Sequence, residues 1–455
     1  MKRALTTIVL IASLFGRTRA EPAPALRTLL AQPSELAAWL RDRDPLIDAQ
    51  RARVLAAQAA ARQARVLPNP QLNLGVNDIV LGQTNAASGG PGSANPPLPL
   101  GKTLIFTAGV DQLVELGKRE PRRNAADLRG RAAAETAAGT LGERLGDAMG
   151  MLGKLAYLAA RRAVVERNLT AANQLMSLEK VRLEHSDLSA LEFARIELDT
   201  QAIALQLARA EAEVAVAIST CTATLYAPCS PDGLDGLDGL DGLEDPAVLD
   251  AGAPLPATLP LAGAAIEARP ARVAQKLEIE ALGWDATLAH NRRIPDPTLG
   301  VGYTLDNLTI SGDQHQSLLF TLGIPLPVFD RGTHDEAAAR ANARALAAED
   351  RAAVRDAAGQ VEALFAQRTM LEAAVKKLEA DTVPKSAQII TQTRRAFDLG
   401  QAPLADLLLV ERAHRDLLLE LLDTRFDLFN VRAQLRQQLG LDDQAARDAG
   451  GRSAS

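Results

Sequence analysis

Hydrophobic residues recur every three to four positions along most of this chain, but in four short windows they alternate strictly with polar or small ones. In the first window Leu72, Leu74 and Val76 alternate with Gln71, Asn73, Gly75 and Asn77. In the second, Leu104, Phe106, Ala108 and Val110 stand against Thr103, Thr107, Gly109 and Asp111. The third sets Leu299, Val301, Tyr303 and Leu305 against Thr298, Gly300, Gly302 and Thr304. The fourth sets Leu318, Phe320, Leu322 and Ile324 against Ser317, Thr321 and Gly323. A period of two predicts strands with one apolar and one polar face. That pattern suits membrane barrel strands, with lipid outside and water inside, although on pattern alone two hairpins of a small soluble sheet are the commoner reading.

Helical periodicity fills the remainder, over about 44–66, 121–185, 188–221, 333–397 and 403–439. Pro121 suits a first helical turn, and from there to His185 only single glycines interrupt the pattern. About 65 residues rising 1.5 Å each make a rod of roughly 100 Å. Helices this long predict a coiled-coil-like assembly rather than a compact domain.

These elements occur twice. Pro68, Pro70, Leu72 and Gly75 recur as Pro295, Pro297, Leu299 and Gly302, and Leu104–Val110 recurs as Leu318–Ile324. The offset falls from 227 (295 − 68) to 214 (320 − 106), which assigns 13 extra residues to the Gly-, Pro-, Asn- and Ser-rich loop Gly82–Gly101. The expected organisation is a signal peptide at 1–20, a first repeat at 21–229, a low-complexity linker at 230–262, a second repeat at 263–440 and a disordered tail at 441–455. Strands are expected at about 70–80 and 102–112, then 297–308 and 317–326, with helical hairpins at about 121–222 and 333–439. Lys2 and Arg3, a short apolar run and Thr18-Arg19-Ala20 make the secretory signal. Four strands cannot close a pore, since bacterial barrels begin at about 8 strands and open edges do not survive in lipid. If the strands enter a membrane, other copies must complete the barrel, and three copies supply twelve strands.

Composition narrows the class. Aromatics are 3% of residues and hydrophobics 47%, largely Ala and Leu, which fits long close-packed helices better than large globular cores. The net charge of −6 gives no support for a nucleic-acid partner. No nucleophile–base pair, phosphate loop or metal cluster is visible, so no enzyme activity, cofactor or resident metal is expected. Cys221 and Cys229 flank a short turn, and in an oxidising compartment a bridge is favoured over two free thiols. Gly139, Gly142, Gly146, Gly150 and Gly153 form a stripe that marks either a close helix crossing or drift in composition.

Pro68-Asn-Pro-Gln-Leu72 and Pro295-Asp-Pro-Thr-Leu299, the strand exits Asp111–Arg119 and Ile324–Gly332, and the turn Phe397-Asp-Leu-Gly400 followed by Pro403–Leu407 together resemble the TolC-like outer-membrane efflux proteins. Glu115-Leu-Gly-Lys-Arg119 and the Pro-Asn-Pro lead-in are similar to the CzcC-like heavy-metal branch. The resemblance implies an α+β membrane protein: a homotrimer whose 12-stranded β-barrel, four strands per chain, continues into a long periplasmic α-helical barrel. It implies a cell outer membrane location, extending into the periplasm of a Gram-negative cell. The implied partners are a periplasmic adaptor, an inner-membrane RND-type pump and outer-membrane lipid. The chain would be a passive duct, with metal cations as expected cargo. An export duct for drugs or secreted protein is the alternative, and a non-channel periplasmic coiled-coil scaffold the second.

Carried over by position, the family's tip constriction falls on Asp406, with Phe397 at its aromatic bonding position, Gly400 in the turn, and Glu192 as the matching acid of the first hairpin. Leu409 stands where some members have a second acid, Phe397 lacks a hydroxyl, and Ala402 offers no base. Apolar packing is therefore expected to close the tip in place of a polar lock.

Overall fold

The computed structural model describes residues 25–77, 104–229, 245–252, 254–255, 262–307 and 314–451. The signal sequence, the Gly82–Gly101 loop and most of the 230–262 linker lie outside these residues. Twelve helices and four strands are described: α1 (Leu26–Ala31), α2 (Pro33–Arg43), α3 (Pro45–Gln63), β1 (Gln71–Asn77), β2 (Ile105–Leu113), α4 (Arg119–Glu184), α5 (Ala190–Leu225), α6 (Ala247–Ala251), α7 (Ala262–Glu267), α8 (Pro270–His290), β3 (Thr298–Asp306), β4 (Gln316–Gly323), α9 (Thr333–Lys377), α10 (Val383–Asp398), α11 (Leu404–Gln438) and α12 (Leu441–Gly451). The order strand, strand, long helix, turn, long helix occurs twice. None of the described helices is long and apolar enough to cross a membrane.

The chain divides into two compact units. One comprises Ala52–Ala134 and Ala274–Arg351. Its centre is one antiparallel sheet in the order β1-β2-β3-β4. The register aligns Leu72, Val110, Val301 and Phe320 in one row, and Leu74, Ala108, Tyr303 and Leu318 in another. Alternate rows are polar or small, such as Gln71, Asp111, Gly300 and Thr321. The apolar face is bare: Leu74 is 74% exposed and Phe320 75%. On the polar face Asn73 Nδ2 donates to Asp111 Oδ2 at 2.6 Å. Gly300 leaves the space beside them open, because a Cβ there would overlap both Asp111 and Thr321. The outer edges of β1 and β4 are unpaired among the described residues. At the foot of α9, Glu336 gathers Arg293, Arg340 and His290 Nδ1.

The second unit comprises residues up to Arg51, Glu135–Val273 and Ala352 onward. Its main core joins α1 and α2 (Leu26, Leu29, Leu30, Leu36, Leu40) to the middle of α4 (Leu145, Met149, Leu152, Leu155) and to Phe429 of α11. Trp39 Nε1 donates to the Leu225 carbonyl at 3.0 Å, which ties α2 to the end of α5. Asp44 is fully buried and receives Arg144 Nε at 2.8 Å. Cys221 and Cys229 are disulfide-bonded, with Cα atoms 6.0 Å apart.

Four expectations change. The helix expected over 333–397 is broken by a π-turn at Leu378–Thr382. Pro384 lacks an N–H and its ring would clash with the carbonyl four residues earlier, so the wider turn accommodates it. The tail expected to be disordered carries α12, seated by Arg436 on Asp442, both buried. The linker is not featureless, because α6 buries Val248 and Leu249 in the main core. The glycine stripe is a close crossing at some positions only. Cβ atoms at Gly142 and Gly153 would overlap Asp443 and Phe429, whereas one at Gly150 would meet nothing within 4 Å.

Candidate functional site at the hairpin tips

Both hairpins end in the same backbone device. In the second, Gly400 takes φ +68°, its N–H donates to the Phe397 carbonyl at 2.9 Å, and Gln401 N–H donates to the Ala396 carbonyl at 2.7 Å. In the first, Ser186 takes φ +63°, with the equivalent bonds from Ser186 to Leu183 and from Asp187 to Arg182. These are Schellman caps, which satisfy terminal carbonyls through one left-handed residue. The equivalence 186 to 400 keeps the offset of 214 found at the strands, so the hairpins turn in register.

Phe397 is 6% exposed and packs with Leu175, Leu188, Ile196, Leu404 and Leu407. This apolar packing joins both hairpins of the chain. One side of Phe397 also meets a cation: the Arg182 guanidinium lies 4.8 Å from the ring centroid and 3.2 Å from Glu179. A cation over an aromatic face contributes roughly 0.5–2 kcal/mol depending on desolvation.

The two tip acids differ. Glu192 completes a capping box on α5: its carboxylate accepts from Ser189 N–H at 3.1 Å and Oγ at 2.7 Å, while its own N–H donates to Ser189 Oγ at 3.2 Å. The Ser189 hydroxyl and amide hold the Glu192 carboxyl below its ordinary range. At the same position of the second hairpin Pro403 precedes α11 and offers no side-chain cap. Asp406 is exposed, in a shallow groove with Gln392, Thr393, Ala396, Ala402 and Leu409. Glu192, the matching acid of the first hairpin, is thus committed to a helix terminus, whereas Asp406 is not. Leu409 is 66% exposed on the same groove.

Farther along the hairpins, α5 and α11 are bridged by Arg415, whose Nη2 lies 2.9 Å from Asp199 Oδ2. Arg394 of α10 reaches Glu411 at 3.2 Å. Burial pushes the Glu411 carboxyl up, against the pull of Arg394 and Arg415. His414 Nδ1 is 2.6 Å from Ser386 Oγ, and burial pushes its imidazole down. Among the described residues no group of three or more His, Cys, Asp or Glu side chains could hold a metal ion.

Residues 261–441 match the family model described as outer membrane efflux protein. Among solved structures the chain is similar to CusC, at 16% identity over 92% of this chain and 97% of that chain, with a TM-score of 0.73. It is also similar to VceC of Vibrio cholerae, at 19% identity, 92% and 99% coverage and a TM-score of 0.69. The open state of MtrE from Neisseria gonorrhoeae gives 16% identity, 92% and 89% coverage and a TM-score of 0.65. The fold is TolC-like. No curated protein matches the sequence. In this TolC-like fold the four strands and the paired hairpins are the parts that the sequence patterns had marked. Arg182, Ser189 and Asp199 were not marked. Only Ser189 had a readable signal, the Ser-x-x-Glu spacing of a capping box; Arg182 and Asp199 act through partners distant in the chain.

Proposed function

We propose that this chain is the outer-membrane duct of a tripartite efflux system, working as a homotrimer. Three four-stranded sheets close a 12-stranded barrel in the outer membrane, and the long helices form an α-barrel in the periplasm. The observation that carries this reading is the sheet. One face is apolar and bare, the other is small and polar, and both edges lack partners among the described residues. A closed barrel in lipid resolves all three features at once. The two sequence copies support it, since each supplies one hairpin of strands and one of helices. The chain resides in the outer membrane, extends into the periplasm, performs no chemistry and draws its energy from an inner-membrane RND-type pump joined through a periplasmic adaptor.

Metal cations are the proposed cargo, resting on the CzcC-like stretches Pro68–Leu72 and Glu115–Arg119. Asp406 is proposed to form a three-carboxylate ring at the periplasmic constriction, supported by its exposure and lack of a cap. The duct is tested by outer-membrane fractionation and single-channel recording of the purified trimer; recovery in the soluble periplasmic extract would refute it in favour of a scaffold. Asp406→Ala should abolish cation block of that conductance, and unchanged block would remove the ring. Cargo is tested by survival of a deletion strain on metal salts and on drugs, where sensitivity to drugs alone would overturn the metal assignment.

A further inference from the structure

The polar face of the sheet holds an open bowl of about 240 Å³. Its floor is bare backbone, because Gly109 of β2 and Gly302 of β3 stand opposite each other in the register. The same row runs on to Asn73 of β1 and Leu319 of β4, which wall the bowl on two sides. Asp111 and Thr321 close one end, and Thr107 and Thr304 the other.

The contacts within the chain do not force the floor open. Glycine inside a strand weakens it, and it marks a bulge, a bend or the close approach of a ligand or another backbone. Strand pairing runs through both positions without a bulge. A Cβ at Gly109 would come no nearer than 3.4 Å to the other strands, and one at Gly302 no nearer than 3.6 Å. Both are ordinary contacts, and neither residue has a positive φ. Alanine therefore fits at either place and would fill the bowl.

The walls define the occupant. Asp111 is the one charged side chain among the lining residues. Its Oδ2 accepts from Asn73 at 2.6 Å, whereas its Oδ1 leans with Thr321 Oγ1 over Gly300. Among the described residues neither of those two oxygens has a hydrogen-bond partner, so both are open to a donor that carries positive charge. A calcium-sized ion needs about six to eight oxygen ligands. Leu319, 52% exposed on this otherwise polar face, supplies none, but it covers an alkyl group well. The bowl is also smaller than sites for drug-sized ligands, which run to roughly 300–1,000 Å³.

Resting on the duct reading for its place in the lumen, we infer that this bowl binds a small organic ammonium ion. Asp111 Oδ1 and the Thr321 hydroxyl accept from its N–H groups, and its alkyl part lies on the Gly109–Gly302 floor against Leu319. The site is built within one chain, so it does not depend on how copies meet, and it is independent of the metal cargo proposed above.

Saturation-transfer NMR with butylammonium tests the site on the detergent-solubilised full chain, whether or not that chain forms a duct. Transfer to the butyl protons is expected. Asp111→Asn should weaken binding about ten- to a hundredfold, the worth of one hydrogen bond to a charged group, and unchanged binding refutes the proposal. Gly302→Ala should also weaken binding while leaving the melting temperature at or above that of the parent. A lower melting temperature would assign the glycine to the shape of the sheet and overturn the argument. Equal transfer to butanol, or displacement of butylammonium by an equal concentration of magnesium ion, would overturn an organic cation as the ligand. In single-channel recordings butylammonium should block the native channel, and block Asp111→Asn less. Binding by NMR without block would refute the luminal placement and leave the bowl standing, so a failed duct and a failed site give different results.

Discussion

Gly153 and Gly150 sit one helical turn apart on α4, and they should respond oppositely to the same substitution. A Cβ at Gly153 would lie 2.7 Å from Phe429 Cδ1 and closer still to Cε1 and Cζ. Gly252 also packs closely on the ring's other edge, where even a Cβ would be only 2.7 Å from Cε2. Phe429 is fully buried and stacks in line with Phe426 and Tyr157. Gly150 has nothing within 4 Å of its hypothetical Cβ. Replacing Gly by Ala inside a helix gains up to about 1 kcal/mol of helix propensity at either site. Only Gly153→Ala adds overpacking, at roughly 1–3 kcal/mol. Propensity cancels in the comparison, so Gly150→Ala should exceed Gly153→Ala in stability by roughly 1–3 kcal/mol.

Calorimetric melting of the detergent-solubilised protein reads that difference. In a chain of this length each kcal/mol moves Tm by roughly 1 °C, so the two variants should separate by roughly 1–3 °C on either side of the parent or close to it. Adding Phe429→Leu to Gly153→Ala should recover part of the loss, giving a non-additive cycle as expected for touching residues. Equal shifts for Gly150→Ala and Gly153→Ala would refute the argument, because the glycine stripe would then be composition rather than a helix crossing.

Arg144→Met should lower stability by about 3–5 kcal/mol, since it leaves the fully buried Asp44 carboxylate without its ion partner; thermal melting checks it. Asp443 titrates at about 6, raised chiefly by burial, so the folded state binds more protons than the unfolded state between about pH 4 and 6. Stability should therefore rise as pH falls through that window, and Asp443→Asn should remove the rise while adding on the order of 1–3 kcal/mol at neutral pH; melting as a function of pH decides it. Replacing Cys221 and Cys229 by Ser should cost roughly 2–3 kcal/mol, because the closed loop is short, and an unchanged melting temperature would count against it. Pro403→Ser should give α11 the N-cap that α5 has, drawing Asp406 toward the helix terminus. Tighter tip packing and weaker cation block of the channel are then expected in single-channel recordings.

Local pattern made the strands and most of the long helices legible, because period two and period 3.6 are properties of a few neighbouring residues. The breaks were legible only where a local breaker announced them. Pro384 was such a signal, and its effect is the π-turn at Leu378–Thr382. The polar tail was not, because α12 is held by Arg436 on Asp442, which composition does not report. Val248 and Leu249 were hidden by the low-complexity sequence around them, although they fill the main core. At the tip the family resemblance pointed to Phe397 and Gly400, but the Arg182 guanidinium on Phe397 comes from the other hairpin.

The two tip acids occupy matching places in the two hairpins and make different contacts. Glu192 and Asp406 share a position, three residues into the second helix of each hairpin. What separates them is the residue at the N-cap. Ser189 has a hydroxyl that both accepts from the helix terminus and donates to the acid, so Glu192 is drawn into the cap and its ionised carboxylate is held there. Pro403 sets the backbone for helix entry but has neither hydroxyl nor N–H to offer, so nothing at the terminus captures Asp406. The shorter Asp side chain also reaches back less far than Glu toward the N-cap amide, the bond that closes a capping box. One hairpin thus gains a rigid terminus, and the other keeps an uncommitted carboxylate facing the groove beside Leu409. In the proposed trimer each chain would then present one uncapped carboxylate at this level, Asp406, beside a Glu192 held at its own helix terminus.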